Sequence, residues 1–217
     1  KAAVICVIIG LKKSSNEKKN LFTGTFSNTV ENISPYLTAS KNIYVSKLGS
    51  AISNLPEMVY GNQPIEGGFL ILEKHERDEL ARNDKRTLDF IKPLTGGSEF
   101  LKGQNRWCIW IEDKDLEKAQ AIPLICDRIE KVKKFREDGG QVASSLVNRP
   151  HQFRYRHRAK KSFFLVPCTS SERRDYMPVG FFTSEYLTTH SAQVVYDADS
   201  FVFGILSSRA HMLWVKA

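Results

Sequence analysis

The sequence lacks the motifs that hold nucleotides or perform catalysis. Its 13 glycines include neither Gly-x-Gly-x-x-Gly nor a P-loop, so no cofactor-binding residue is predicted. Glu112-Asp113-Lys114 has the acid-x-Lys spacing of metal-dependent nucleases, but no upstream acid is evident to complete a metal site. Ser170-Ser171 lacks the Gly-x-Ser-x-Gly elbow of a serine nucleophile. The chain itself is therefore predicted to have no catalytic residue.

Cysteine and histidine are scarce and scattered. The four cysteines form no Cys-x-x-Cys pair, which argues against a zinc site and a disulfide framework. His75-Glu76 has no second histidine at position 79, as a His-Glu-x-x-His zinc site requires. We expect reduced, buried thiols in a cytoplasmic protein, and no bound metal.

The chain also lacks a long apolar run. No stretch approaches the roughly 20 residues that a membrane span needs, and no basic amphipathic helix with a broad apolar face is evident. Yet 41% of the residues are apolar and 11% aromatic, which excludes wholesale disorder. The chain has 32 Lys and Arg against 24 Asp and Glu, a net charge of +8. This excess favours a polyanionic partner, and nucleic acid over a membrane.

The charge is concentrated in residues 149–161, which we call the basic segment. It contains six Lys or Arg and no acid. In an extended chain alternate side chains share a face, and cations two apart are separated by about 6.5–7 Å, similar to the step between phosphates. The two predicted faces carry Arg154, Arg156, Arg158 and Lys160 on one side, and Phe153, Tyr155, His157 and Ala159 on the other. One face would follow a nucleic-acid backbone, while Tyr155 and His157 face bases or the core.

A basic run is also typical of a solvated edge strand, where charge prevents edge-to-edge pairing. Two features favour nucleic acid instead: the interleaved aromatic residues, and a second basic pair, Arg173 and Arg174, about a hairpin's length downstream. Such cations contact phosphates, and neighbouring polar or aromatic groups contact bases. Two alternatives stay open: a non-specific DNA- or RNA-binding module, and a protein-interaction domain whose basic segment packs on an acidic partner.

The order of elements predicts an α+β fold, a mixed short-stranded sheet with several helices that ends in a C-terminal helix. Residues 2–11 are continuously apolar and typical of a strand buried on both faces, whereas the polar residues 12–32 predict a long loop or a hairpin extension. Further strands are predicted at residues 43–45, 69–72, 106–111, 162–167, 177–182 and 194–196. Helices are predicted at residues 74–82, 84–91, 123–137 and 201–216.

The longest predicted helix has Pro123 in its first turn. Its apolar stripe consists of Leu124, Ile125, Ile129, Val132 and Phe135. Its opposite face, expected to be solvated, carries Arg128, Lys131, Lys133, Lys134 and Arg136. Elsewhere, Asp113 is predicted to cap a helix, serine hydroxyls to close the turn at residues 169–175, and three glycine pairs (67/68, 96/97 and 139/140) to form turns.

Six stretches of the sequence resemble, in the same order, the C-terminal half of the type IIL restriction-modification family. They are residues 32–37, 64–72, 96–100, 106–111, 167–181 and 203–212. That family fuses an endonuclease, an N6-adenine DNA methyltransferase and a target-recognition domain in one chain. The resemblance implies that residues 1–45 are a closing strand and loop of an upstream methyltransferase domain, residues 46–200 the DNA target-recognition domain, and residues 201–217 the start of a C-terminal helical segment.

The family's catalytic Asn-Pro-Pro-Tyr or Asn-Pro-Pro-Phe motif and its glycine-rich cofactor motif do not occur in this sequence. The resemblance therefore implies that S-adenosylmethionine binds to an upstream domain of the parent protein. Since the first residue is Lys1 rather than Met, we expect the chain to be a fragment of a larger protein that positions a target adenine in duplex DNA.

In this family a short strand before the Ser-Ser-Glu turn reads part of the DNA site. Counting back from Pro167 places Tyr155 and His157 at the base-reading positions, where the family often has an acid and an arginine. Either side chain can donate or accept a hydrogen bond, so the base is left open. The full set predicted to bind DNA is Arg149, Arg154, Tyr155, Arg156, His157, Arg158, Lys160, Lys161, Ser170, Arg173 and Arg174.

Overall fold

The computed structural model describes residues 7–44, 46, 48, 49, 53–171 and 173–216, and the chain divides into two compact units, Lys1–Ser53 and Asn54–Ala217. The small unit contains an antiparallel hairpin of β1 (Lys19–Thr23) and β2 (Phe26–Val30). Gly24 has a φ of 60° in its turn, a left-handed conformation that suits glycine. Of the two possibilities predicted for residues 12–32, a long loop or a hairpin extension, the structure shows the hairpin.

Two predicted strands of the small unit are not observed among the described residues. Residues 7–11 belong to no strand, and their side chains are exposed rather than buried on both faces. Residues 2–6 of that predicted strand lie outside the described residues. Residues 43–44 are likewise irregular, and residue 45 is not described.

The large unit contains two four-stranded sheets. Its strands are β3 (Val59–Tyr60), β4 (Ile71–Leu72), β5 (Ile91–Thr95), β6 (Arg106–Ile109), β7 (Ser162–Pro167), β8 (Gly180–Thr183), β9 (Leu187–Thr188) and β10 (Ala192–Tyr196). The first sheet has the order β4-β6-β5-β9, in which β5 and β9 are parallel and the other pairs antiparallel. The second has the order β3-β10-β7-β8 and is antiparallel throughout.

Strand β7 is central to the second sheet and is buried on both faces. Phe163 and Leu165 pack in one apolar cluster with Val194 of β10. Phe164 and Val166 pack in another cluster on the opposite face. This division follows from the alternation of side chains along a strand. The strand predicted at residues 162–167 is therefore confirmed, and the structure shows in addition that it is buried.

Seven helices are described: α1 (Lys74–Asn83), α2 (Gly97–Lys102), α3 (Leu116–Gln120), α4 (Pro123–Glu137), α5 (Gln141–Ser144), α6 (Ser200–Leu206) and α7 (Arg209–Lys216). The bounds of α4 are those predicted, and Ile125, Ile129 and Val132 bury its inner face in the core of the first sheet. The predicted C-terminal helix is instead two helices, α6 and α7, interrupted at residues 207 and 208.

Other local predictions are met in part. Gly67 and Gly68 have φ values of 69° and 87°, which confirms a tight turn before β4. The helix predicted at residues 84–91 is a short 3-10 helix, Lys85–Phe90, followed by β5. Gly96 precedes α2 and Gly97 begins it, so this pair starts a helix rather than forming a simple turn.

Within the described residues, no helix has the length and apolarity needed to cross a membrane, and no group of His, Cys, Asp and Glu could hold a metal ion. The three described cysteines are free. Cys108 is buried, and burial raises the pKa of its thiol well above the usual value. Cys168 is exposed, so the prediction of buried thiols is wrong for that residue.

Candidate nucleic-acid interface

The basic segment connects the turn after α5 to strand β7. None of residues 149–161 belongs to a helix or strand, so the predicted strand is corrected to an irregular segment. Phe153 and Ala159 are buried, whereas Tyr155 and His157 are exposed. Since no β-ladder holds this backbone, individual hydrogen bonds from other parts of the chain fix it, most of them from side chains.

Tyr155 and His157 lie on a shared side of the basic segment, as the alternation predicted, but Phe153 and Ala159, predicted on the same face, are buried instead. Their rings stack with centroids 5.9 Å apart and an interplanar angle of 21°. The Arg154 guanidinium lies 5.0 Å from the centroid of the Tyr155 ring, a cation–π contact. On the other side His157 meets Tyr196 of β10 edge-on, at 6.2 Å and 84°. These contacts present two polar aromatic side chains to solvent in a defined arrangement.

Arg136, in the last turn of α4, fixes the start of the basic segment. Its predicted place on a solvated face is wrong, because the side chain is fully buried. The guanidinium donates hydrogen bonds to five backbone carbonyls, those of Pro64, Ile65, Leu146, Arg149 and Gln152. Burial, and to a smaller extent the nearby charge of Arg149, lowers the pKa of Arg136 to about 10, so the group remains protonated at neutral pH. A planar fork of five N–H donors suits such a set of acceptors.

Asn62 fixes the backbone at His157. Its buried amide donates from Nδ2 to the His157 carbonyl at 2.9 Å and accepts at Oδ1 from the His157 N–H at 2.6 Å. Its own backbone N–H donates to Thr188 at 2.8 Å, and its carbonyl accepts from His190 at 2.8 Å. Asn62 therefore joins the edge of the first sheet to the middle of the basic segment. No local sequence signal indicates this role, since Asn62 and His157 are 95 positions apart.

Gly61 makes the position of Asn62 possible. A Cβ at residue 61 would lie 2.3 Å from the carbonyl oxygen of Thr189, a contact that real side chains do not tolerate. Glycine alone permits this close approach of two backbones.

An acid pair, Glu112 and Asp113, follows β6 and contacts the basic segment. The Asp113 carboxylate accepts hydrogen bonds from Nε2 of His151 at 3.0 Å and from the Gln152 amide. These contacts, the His151 hydrogen bond first, lower the pKa of Asp113. The prediction that Asp113 is an N-cap is wrong, because Asp113 is the first residue of the 3-10 helix Asp113–Asp115 and Glu112 occupies the N-cap position.

The acid pair also binds an arginine of the basic segment. Arg156 forms an ion pair with Glu112, lies 3.5 Å from the Asp113 carboxylate, and has its guanidinium 5.8 Å from the Trp110 ring centroid. Arg158 is farther out, with Nη1 4.0 Å from Glu112 and the side chain about half exposed. The charge of Arg156 is therefore largely offset within the protein.

Two more arginines of the basic segment donate to neutral groups. Arg149 donates to the Arg154 carbonyl at 3.0 Å, and Arg154 donates to the side-chain oxygen of Gln63 at 2.9 Å. The Arg154 N–H also donates to the Gln63 carbonyl at 2.8 Å. Both side chains thus help to hold the segment in place.

Lys160 and Lys161 differ, because only their backbone is held. The Asp197 carboxylate accepts from their N–H groups at 3.0 and 2.6 Å, and these bonds lower the pKa of Asp197. Asp197 itself has a φ of 51°, a left-handed conformation that an aspartate tolerates better than most residues. Both lysine side chains are exposed, and in the described part of the chain neither ammonium group is bonded to a carboxylate.

The remaining predicted residues lie in the exposed loop between β7 and β8. Ser171 Oγ accepts from the Arg173 N–H at 3.3 Å and its carbonyl accepts from Arg174 at 3.2 Å, which confirms a turn closed by a serine hydroxyl. Ser170 precedes this turn, and residue 172 is not described. Lys160 and Lys161 precede β7, and the loop with Arg173 and Arg174 follows it. These two cationic groups therefore lie at opposite ends of one strand, about 17 Å apart along it.

Comparisons with known proteins support a common origin with DNA-modifying enzymes. A family model described as "MmeI, target recognition domain" matches residues 39–217. DNA methyltransferase A of Bacillus subtilis (strain 168) is 37% identical over 218 residues, which cover 100% of this chain and 25% of that protein. A solved structure of the type IIL restriction-modification enzyme MmeI in complex with DNA matches with a TM-score of 0.82 and 30% identity, over 87% of this chain and 25% of that one. The chain thus spans about a quarter of the length of these relatives.

Proposed function

This chain belongs to the MmeI target recognition domain family, and from that premise we propose that it reads a specific sequence in duplex DNA for an N6-adenine methyltransferase of a restriction-modification protein. The observation that carries the proposal is the exposed Tyr155–His157 stack, whose backbone is fixed by Asn62 and which is followed at once by the exposed Lys160 and Lys161. Base edges are read by such polar groups, while cations hold the phosphates.

The cations divide into two groups in this proposal. Lys160, Lys161 and the half-exposed Arg158 contact phosphates beside the bases that Tyr155 and His157 read. The loop after β7 provides the second group, Ser170, Arg173 and Arg174. A separation of about 17 Å corresponds to roughly five base pairs at 3.4 Å each, so both groups could contact one binding site.

Three arginines receive a different role. Arg149, Arg154 and Arg156 donate to a carbonyl, an amide oxygen and the acid pair, and a phosphate would have to compete with these partners. We therefore propose that they position the basic segment instead of contacting phosphates directly.

The proposal for the whole protein is coarser. The methyltransferase relative supports an upstream catalytic domain that binds S-adenosylmethionine. We propose that residues 1–45 belong to that domain, that residues 46–200 form the recognition domain, and that a helical segment begins at residue 201. In a cytoplasmic enzyme of this kind, the recognition domain sets which adenine is flipped out of the duplex into the catalytic pocket.

Selection of the full chain on a duplex library with randomised central positions tests the proposal. We expect one enriched sequence, and a fall in affinity with salt whose logarithmic slope is reduced by about one in Lys160→Ala and in Lys161→Ala. Arg156→Ala should change the slope by clearly less than one, because its charge is already offset by the acid pair. Lys133→Ala, on the exposed face of α4, serves as the control and should leave the slope unchanged.

Two outcomes would favour the alternatives. Enrichment of no sequence, together with the same salt slope on every duplex, indicates a non-specific module. Tighter binding of single-stranded RNA than of duplex DNA indicates an RNA-binding module, in which the exposed rings stack on bases.

A further inference from the structure

The ring of His157 has one nitrogen engaged with the protein and one directed elsewhere. Nδ1 lies 3.2 Å from the backbone carbonyl oxygen of Tyr60. A carbonyl oxygen can only accept a hydrogen bond, so Nδ1 must carry the proton that it donates. In the neutral ring Nε2 is then unprotonated and presents a lone pair.

The orientation of the ring is fixed as well as its tautomer. Asn62 binds the N–H and the carbonyl of His157, Tyr155 stacks on one face of the ring, and Tyr196 meets it edge-on. Within the described residues Nε2 has no hydrogen-bond partner, and the side chain is exposed. A preset acceptor therefore faces solvent at the point where the proposed interface meets DNA.

We propose that His157 accepts a hydrogen bond at Nε2 from an exocyclic amino group in the major groove, N6 of adenine or N4 of cytosine. This inference rests on the proposed function and deepens it. In the major groove only these two amino groups donate, whereas guanine and thymine present acceptors at N7, O6 and O4. A lone pair aimed at an acceptor is repelled, so His157 selects against guanine and thymine at its contact.

Tyr155 lacks this selectivity. Its hydroxyl hydrogen rotates, so the same oxygen can donate or accept. Of the two stacked residues, His157 thus determines the chemistry of the base that is read, and Tyr155 accommodates either kind of edge.

The test uses His157→Phe, which keeps an aromatic ring against Tyr155 and the backbone bonds to Asn62 but removes both nitrogens. Selection on the randomised duplex library identifies the base pair whose preference is lost in this variant. At that pair, adenine is then replaced by purine, or cytosine by pyrimidin-2-one, which removes the amino donor. In a second set of duplexes a 7-deaza purine removes the N7 acceptor.

We expect removal of the amino group to weaken wild-type binding roughly 3- to 10-fold more than it weakens binding of His157→Phe. The 7-deaza purine should weaken both proteins equally. The inference is overturned if the His157-dependent loss follows N7 instead, or if His157→Phe shifts no base preference. His75→Phe, on α1, is the matched control and should retain the wild-type preference.

An NMR spectrum of the DNA-free chain distinguishes failure of the His157 inference from failure of the proposed function. Long-range ¹⁵N–¹H correlations are expected to show the Nδ1–H tautomer at His157. An Nε2–H tautomer in a protein that still selects one DNA sequence rejects this inference alone. An Nδ1–H tautomer in a protein that selects no sequence rejects the proposed function, and the inference with it.

Discussion

Replacement of Arg136 by methionine tests whether a buried guanidinium holds the basic segment. Methionine keeps much of the apolar stem but donates none of the five hydrogen bonds. The carbonyls of Leu146 and Arg149 each keep a backbone donor, at 3.1 and 3.2 Å, and the bond to Pro64 is long at 3.4 Å. The main loss therefore falls on the carbonyls of Ile65 and Gln152.

The magnitude follows from these two acceptors. A buried polar group left without a partner costs about 1–3 kcal/mol, so Arg136→Met should lower the free energy of unfolding by about 2–6 kcal/mol. Arg136→Lys keeps the charge but has a compact ammonium with three donors instead of a planar fork, so its loss should be smaller but still measurable. Lys134→Met, on the exposed face of the same helix, should stay within about 0.5 kcal/mol of the wild type.

Urea unfolding followed by tryptophan fluorescence measures this loss and reports on the right region. Trp110 contacts Phe153 of the basic segment edge-on, with centroids 5.7 Å apart. A loss of under about 1 kcal/mol in Arg136→Met would refute the reasoning, because it would mean that the carbonyls find other partners when the guanidinium is removed.

Three further predictions concern neighbouring supports. Asn62→Ala should lose the base preference of the duplex selection and about 1–3 kcal/mol of stability, because two bonds to the His157 backbone are removed; an unchanged selected sequence would contradict this. The pKa of Asp197 in the folded protein is below the ordinary value of 3.8, so its carboxylate stabilises the fold at a pH above 3.8. This stabilisation is lost as the pH falls through the pKa of the folded state. Asp197→Asn should therefore have a lower urea midpoint than wild type at pH 7, and the difference between the two midpoints should narrow below about pH 4. A difference that does not change with pH would contradict the stabilising role of the Asp197 carboxylate. In thermal unfolding Gly61→Ala should destabilise by about 1–3 kcal/mol because of its 2.3 Å contact, whereas Gly204→Ala, which meets nothing within 4 Å in α6, should stabilise by up to about 1 kcal/mol; equal shifts would show that space is not the cause.

The elements predicted best from the sequence are those whose signals are local. Pro123 marks the start of α4, and its apolar spacing gives the length of the helix. The break between α6 and α7 was missed although Ser208 provides a signal, since its hydroxyl accepts from the His211 N–H at 3.1 Å, as an N-cap does. The strand predicted at residues 2–11 was inferred from apolar composition alone, which does not show whether a partner strand exists, and the described residues 7–11 belong to no strand.

For the candidate site, alternation predicted the shared side of Tyr155 and His157 but not what supports them. Arg136 follows Ile125, Ile129 and Val132 at intervals of four, three and four, so its helical position alone indicated the buried stripe. Its charge nevertheless suggested an exposed position. The carbonyls that accept from its guanidinium belong to other segments of the chain, so the sequence of the helix provided no sign of them. The pairing of Arg156 with Glu112 depends on a contact across 44 positions, which no periodicity reveals.

The acid pair and the Gln63 side chain bind side chains of the basic segment, but the other supports bind its main-chain atoms. Asn62 binds the N–H and C=O of residue 157, the Gln63 carbonyl binds the N–H of residue 154, and Arg136 binds carbonyls alone. Every amino acid except proline supplies the same amide group. The side chains at positions 155 and 157 should therefore be replaceable without loss of the backbone bonds beneath them. If these two positions read bases, as proposed, a change of one or two codons would give a new DNA target on the same scaffold.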